Sequence, residues 1–171
     1  MIYKEVQADL FDYYDKGYYV AQCLSADLVA GAGIAVLFNQ KLDIKKKLLK
    51  RYPDGAYIKW KDENGISFKR FIPQVILQDR VFNLITKDRV WEKPTLRNLG
   101  LSLIAMRVRM TNMKLSDNIN VNKIALPLIG CGIDGLEWFR VRELIEKVFG
   151  DMDIEIVVCY LERDRHKVEE I

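Results

Sequence analysis

Histidine is nearly absent from this chain: its 171 residues include one, His166, set in a charged C-terminal segment. Serine and cysteine hydrolases activate their nucleophile with an imidazole, and His166 alone would have to serve. Neither a G-x-S-x-G elbow nor a G-x-x-x-x-G-K-[ST] phosphate loop occurs. Cysteine is scarce too. Cys23, Cys131 and Cys159 stand singly among apolar or glycine neighbours, with no C-x-x-C pair, so no zinc-type ligand set is present. An odd number of isolated thiols, in a sequence with no basic-plus-apolar leader, predicts reduced cysteines and a cytoplasmic location. No run of about 18 apolar residues could span a bilayer, and there is no internal repeat or low-complexity linker. Charge of either sign is not in large excess: 27 Lys and Arg against 24 Asp and Glu leave +3. That mild bias suits an anionic small ligand and falls short of a duplex DNA binder. Acid–base work is left to carboxylates or lysines.

What the sequence does have is the stretch LPLIGCGIDGLEW, residues 126–138, an apolar run that breaks into glycines, presents one carboxylate and enters an amphipathic segment. It predicts a buried strand ending at Ile129, a turn whose bare backbone N–H groups can approach a phosphate, and a helix with Trp138, Val141, Leu144, Ile145 and Val148 on one face. Glycines also occur at strand-to-helix turns for steric reasons alone. A second such loop, GAGIA at 31–35, follows a predicted strand over 18–24, and two loops at strand ends can converge on one crevice and hold a dinucleotide-like ligand.

The remaining pattern alternates strands and helices. Ile2 to Val6 and Ile154 to Leu161 read as strands, Ile44 to Tyr52 as a lysine-rich helix with a solvated basic face, and 56–71 as a β-hairpin reversing at Asn64-Gly65. Gln74 to Leu77 and Val81 to Thr86 read as two more strands, the second delivering Lys87 at a loop mouth. A helix then carries Leu96, Leu99, Leu103, Met106 and Met110 as a core stripe. The expected fold class is α/β, a three-layer α/β/α domain with a mixed central sheet, one domain over 1–171.

Taken together, the pieces resemble the macrodomains that recognise ADP-ribose, and within them the terminal ADP-ribose protein glycohydrolase branch. In order they are ADLF (8–11), CLS (23–25) leading to GAGIAVLF (31–38), LITK (84–87), KPT (93–95), and LPLIGCGID (126–134) through Leu136 and Trp138. The resemblance implies that Lys87 is a catalytic nucleophile and Asp134 its acid/base partner. It implies that Asp9, beside the Leu10 backbone, accepts a hydrogen bond from adenine and that Leu161 covers that base. By the same resemblance Gly31, Gly33 and Ile34 line the distal ribose and diphosphate, with Ser25 near that ribose, and Ile129, Gly130, Cys131, Gly132 and Ile133 wrap the phosphates. Ala8 replaces the family's usual glycine, and a segment near 53–71 is inserted relative to the short form of the branch.

The chemistry has an independent rationale. A neutral lysine amine can attack the anomeric carbon of a ribose joined to a carboxylate or a nucleobase, giving an imine that water cleaves, while an aspartate shuttles the proton. Singly, Lys87 is equally an exposed strand-end lysine and Asp134 a helix N-cap. Their joint occurrence with two glycine loops favours a hydrolase that removes mono-ADP-ribose from an acidic protein side chain or a nucleobase. The alternatives are a non-catalytic ADP-ribose-binding module and an ADP-ribose-1''-phosphate phosphatase. The expected partners are ADP-ribose and ADP-ribosylated protein or DNA, with no cofactor, no metal and no membrane, the chain acting as a monomer.

Overall fold

A computed structural model describes residues 1–169. The chain runs β1 (Ile2–Gln7), α1 (Leu10–Asp15), β2 (Tyr19–Ser25), α2 (Ile34–Leu42), α3 (Ile44–Arg51), then the hairpin β3 (Ile58–Lys61) and β4 (Ser67–Arg70). It continues through β5 (Gln74–Gln78), β6 (Val81–Lys87), α4 (Leu96–Asp117), β7 (Lys123–Leu126), α5 (Trp138–Phe149) and β8 (Glu155–Tyr160), and closes on a 3-10 turn (Glu162–Asp164) and α6 (Arg165–Glu169). Six strands form a mixed sheet in the order β1-β8-β7-β2-β6-β5. All neighbours are parallel except β5, which runs antiparallel to β6 at one edge.

Side-chain alternation along the strands explains the layers. In β7, Ile124 and Leu126 face one side with Phe82, Leu84, Ile156 and Val158, where they meet Leu99, Leu103, Met106 and Met110 of α4 and Trp138, Val141 and Ile145 of α5. Ala125 faces the other side with Val20, Leu24, Val81, Ile85 and Val157, against Leu10 and Phe11 of α1, Phe38 of α2, and Ile44 and Leu48 of α3. Each fully buried Leu, Ile or Phe in these layers contributes roughly 1.5–3 kcal/mol. The result is the three-layer α/β/α arrangement with a mixed sheet.

Three boundaries differ from expectation. β7 stops at Leu126 rather than Ile129, because Pro127 has no N–H to continue the ladder. α4 runs to Asp117, well beyond Met110, from a Thr95 cap whose Oγ1 accepts from Asn98 N at 3.0 Å. α1 fills the interval between the strand expected over Ile2 to Val6 and that over 18–24, where no helix was expected: Asp9 caps it, accepting from Phe11 N at 2.9 Å.

Candidate active site

β2 and β7 are neighbours that pair only at their beginnings, Tyr19 with Ile124 and Val20 with Ala125. From this point the chain leaves β2 for β6 on one side and β7 for β8 on the other, so their carboxyl ends flank a topological switch point, where α/β sheets bind ligands. A cleft of about 590 Å³ opens there, within the range of small-ligand sites.

The two glycine loops form its walls. Gly33 opens α2 at φ 64°, ψ −145°, a conformation essentially closed to residues with a Cβ. Behind it Val36 N donates to the Gly33 carbonyl at 3.2 Å, while the N–H groups of Ile34 and Ala35 keep no backbone partner among the described residues, which favours an anion. In the second loop Gly130 has φ 74°, and a Cβ there would stand 2.9 Å from Leu136 Cδ1. Ile129 N donates to the Pro127 carbonyl at 2.8 Å and Cys131 N to that of Leu128 at 3.1 Å. The N–H groups of Gly132, Ile133 and Asp134 keep no such partner among the described residues. A Cβ on Gly33 would lie 3.5 Å from Ile133 Cδ1, so the loops meet over the cleft. Lys93 steadies this closure by donating to the Ile133 carbonyl.

Lys87 reaches the cleft through an irregularity in β6. Leu24 pairs with Ile85 but Ser25 with Lys87, so Thr86 and Lys87 together oppose one residue of β2, a bulge that re-aims the side chain beyond it. Lys87 Nζ donates to Asp134 Oδ1 at 2.7 Å, and the two side chains are only 11% and 15% exposed. Asp134 does not cap α5, whose cap position is Glu137. An amine and a carboxylate joined in a half-closed cleft can exchange a proton and act together on a bound electrophile. The thiols are poor candidates for that role: burial pushes Cys23, Cys131 and Cys159 each up to about 12, leaving them protonated near neutrality.

Asp9, Leu10, Ser25, Gly31, Gly33, Ile34, Ile129, Gly130, Gly132, Ile133 and Leu161 line the same cleft as Lys87 and Asp134. Cys131 contributes no side chain to it. Its thiol is buried behind the loop, and its carbonyl accepts from Lys167 Nζ at 3.1 Å. Ser25 Oγ donates to Asp27 Oδ1 at 2.5 Å. Asp27 itself escaped the sequence reading. Its Oδ2 accepts from Val90 N at 2.9 Å, while Ala26 N donates to the Lys87 carbonyl at 2.8 Å, so the ends of β2 and β6 are tied together beside the amine. The Ser25-x-Asp27 spacing, a local turn signature, was the available signal. Among the described residues no cluster of three or more His, Cys, Asp or Glu could hold a metal ion.

No protein-family model matches the chain. It is 36% identical over 142 residues to the ADP-ribose glycohydrolase OARD1 of Homo sapiens, covering 83% of this chain and 81% of that protein. The Bos taurus protein of the same name is 35% identical over 142 residues, with the same coverage of 83% and 81%. Among solved structures, the macrodomain of Thermus aquaticus DarG superposes with a TM-score of 0.67 at 19% identity, over 92% of this chain and 97% of that one.

Proposed function

We propose, on the premise that this chain belongs to the macrodomain family and to its terminal ADP-ribose glycohydrolase branch, that the cleft hydrolyses the bond between C1 of a terminal ADP-ribosyl group and a macromolecular target. Lys87 is the nucleophile and Asp134 the acid/base. Lys87 passes a proton to Asp134 across their hydrogen bond, and its lone pair attacks the anomeric carbon. The bond from C1 to the target's carboxylate oxygen or base nitrogen breaks, and Asp134 returns the proton to that leaving atom. The resulting glycosylamine opens to an imine. Water adds to its carbon, the lysine amine departs, and free ADP-ribose is released. No cofactor enters this sequence. Asp9, Leu10 and Leu161 hold the adenine end, Gly31, Gly33, Ile34 and the 129–133 turn the diphosphate, and Ser25 the distal ribose.

The observation that carries this reading is the 2.7 Å contact between Lys87 and Asp134 at the foot of two glycine loops. It rests also on the similarity to proteins named ADP-ribose glycohydrolase. A peptide carrying ADP-ribose on glutamate tests it. Wild type should release ADP-ribose, whereas Lys87→Ala and Asp134→Asn should each lose roughly 10²–10⁴-fold in turnover. Lys87→Ala should still bind ADP-ribose, and borohydride should trap the sugar on Lys87 in the wild type. Equal turnover by wild type and Lys87→Ala would overturn the mechanism, and a wild type that binds ADP-ribose without releasing it would make the domain a reader.

A further inference from the structure

The hairpin β3–β4 stands outside the six-stranded sheet, and every residue of its two strands is exposed. It nevertheless holds large apolar side chains in solvent: Ile58, Trp60, Ile66 and Phe68 are all between 43% and 54% exposed. A two-stranded ribbon gains little from such residues on its own, and apolar surface left in water calls for a partner. Register sorts the side chains by face. Trp60 lies opposite Phe68 with the rings stacked at 5.6 Å, and Ile58 lies opposite Arg70 on that side. Lys59, Lys61 and Lys69 fall on the reverse. The hairpin is a thin blade, aromatic on one side and cationic on the other.

Charge is concentrated here. Residues 44–70, α3 and the hairpin, carry nine lysines and arginines against three carboxylates, a net of +6. The whole chain is +3, so everything outside this segment sums to −3. The blade is rooted beside the chemistry. Tyr57 donates to Asp88 Oδ1 at 2.8 Å, one residue past Lys87, and Ala56 N donates to the Ala26 carbonyl at 2.7 Å. Lys69 and Arg89 stand over the Tyr57 ring at 4.5 and 5.8 Å. Trp91, on the same loop as Asp88, is 77% exposed.

We infer that this hairpin is a docking arm for single-stranded nucleic acid, which would bring an ADP-ribosylated strand to the Lys87 end of the cleft. The inference rests on the proposed hydrolase reading for what the strand carries. Unpaired bases stack on exposed aromatic rings while lysines and arginines follow the backbone phosphates. An acidic peptide would use the cations and leave Trp60 and Phe68 without a role, and a duplex keeps its bases out of reach of such rings. Lys59 is held by Asp54 at 2.9 Å, which leaves Lys61, Lys69 and Arg70 as the phosphate contacts.

The test is fluorescence anisotropy of the full chain with an unmodified, labelled single-stranded DNA of about 20 nucleotides across a salt series. Trp60→Ala/Phe68→Ala should bind roughly tenfold or more weakly with an unchanged salt slope. Lys61→Gln/Lys69→Gln/Arg70→Gln keeps the aromatic pair and should lower the slope by about 2, about 0.7 for each lost phosphate contact. Both variants should release ADP-ribose from the glutamate-linked peptide at the wild-type rate, which also shows that they are folded. The docking inference falls if wild type does not bind the DNA, if all three proteins bind it alike, or if a glutamate-rich peptide displaces it at equal concentration. Loss of wild-type activity on the peptide, with DNA binding as expected, would overturn the hydrolase reading and leave the docking arm standing.

Discussion

Gly33 and Gly132 sit in the two cleft loops for different physical reasons. The backbone at Gly33 occupies φ 64°, ψ −145°, so Gly33→Ala should destabilise the fold by roughly 1–3 kcal/mol, read as a lower urea midpoint. At Gly132 nothing lies within 4 Å of where a Cβ would stand, and φ is not positive. Gly132→Ala should leave the unfolding free energy from the same urea titration within about 0.5 kcal/mol of wild type. If the diphosphate rests against that loop, the added methyl should still cost at least roughly tenfold in ADP-ribose affinity by calorimetry, because a backbone donor must approach a phosphate to hydrogen-bond distance. Unchanged affinity would remove Gly132 from the ligand site. The motif displayed the glycines in the sequence but could not sort them. Which ones meet a backbone constraint depends on neighbours such as Leu136, and for Cys131 the buried direction of the thiol depends on core packing.

Between elements, the joint that matters most is where β2 and β6 end. Hydrophobic periodicity made both strands and Lys87 legible, since it needs only local spacing. The bulge at Thr86 was not, because it exists only relative to its partner Leu24-Ser25; the Ser25-x-Asp27 turn was a local signal, but the reach of Asp27 to Val90 N, 63 residues away, was not. Burial alone would raise the Asp27 carboxyl, but hydrogen bonds from Ser25, Val90 and Val29, with Arg89 nearby, outweigh it and hold the group below the usual carboxylate range. A carboxyl depressed in the folded state stabilises at pH above its unfolded value, about 3.9, and that contribution is lost as pH falls through the lower folded value. The clamp is therefore intact from about pH 5 upward, and any loss of turnover between pH 5 and 7 has another origin. Asp27→Asn replaces one accepting oxygen with an N–H donor, which can meet neither the Val90 nor the Val29 backbone N–H. It should reduce kcat roughly tenfold or more by loosening Lys87, with ADP-ribose affinity held within about twofold. A loss of affinity with kcat preserved would instead make Asp27 a ligand contact.

Across the whole molecule, the cleft lies where the sheet divides. β2 and β7 separate after two paired residues, and the segments that line the cavity come from the ends of β1, β2, β6, β7 and β8. That convergence was legible in outline, because alternating strands and helices dictate a parallel sheet and the switch point follows from strand order. The concentration of basic charge on α3 and the hairpin was countable in the sequence, yet its place beside Lys87 needed Tyr57 and Asp88 to meet in space. Since one ligand spanning the cleft would join both halves of the sheet, ADP-ribose should bind the folded chain and not the unfolded one. Its stabilisation then follows mass action, about 2.7 kcal/mol at a hundred times Kd, or a rise in Tm of roughly 5–10 °C for a domain of this size. The rise should be logarithmic in ligand concentration and should persist in Lys87→Ala, where binding is separated from chemistry. If the adenine lies at Asp9 and Leu161 as proposed, adenosine alone, which would then touch neither glycine loop, should give a much smaller rise. Equal shifts from adenosine and ADP-ribose would mean that the diphosphate and distal ribose contribute nothing, and that the two loops are not a phosphate site.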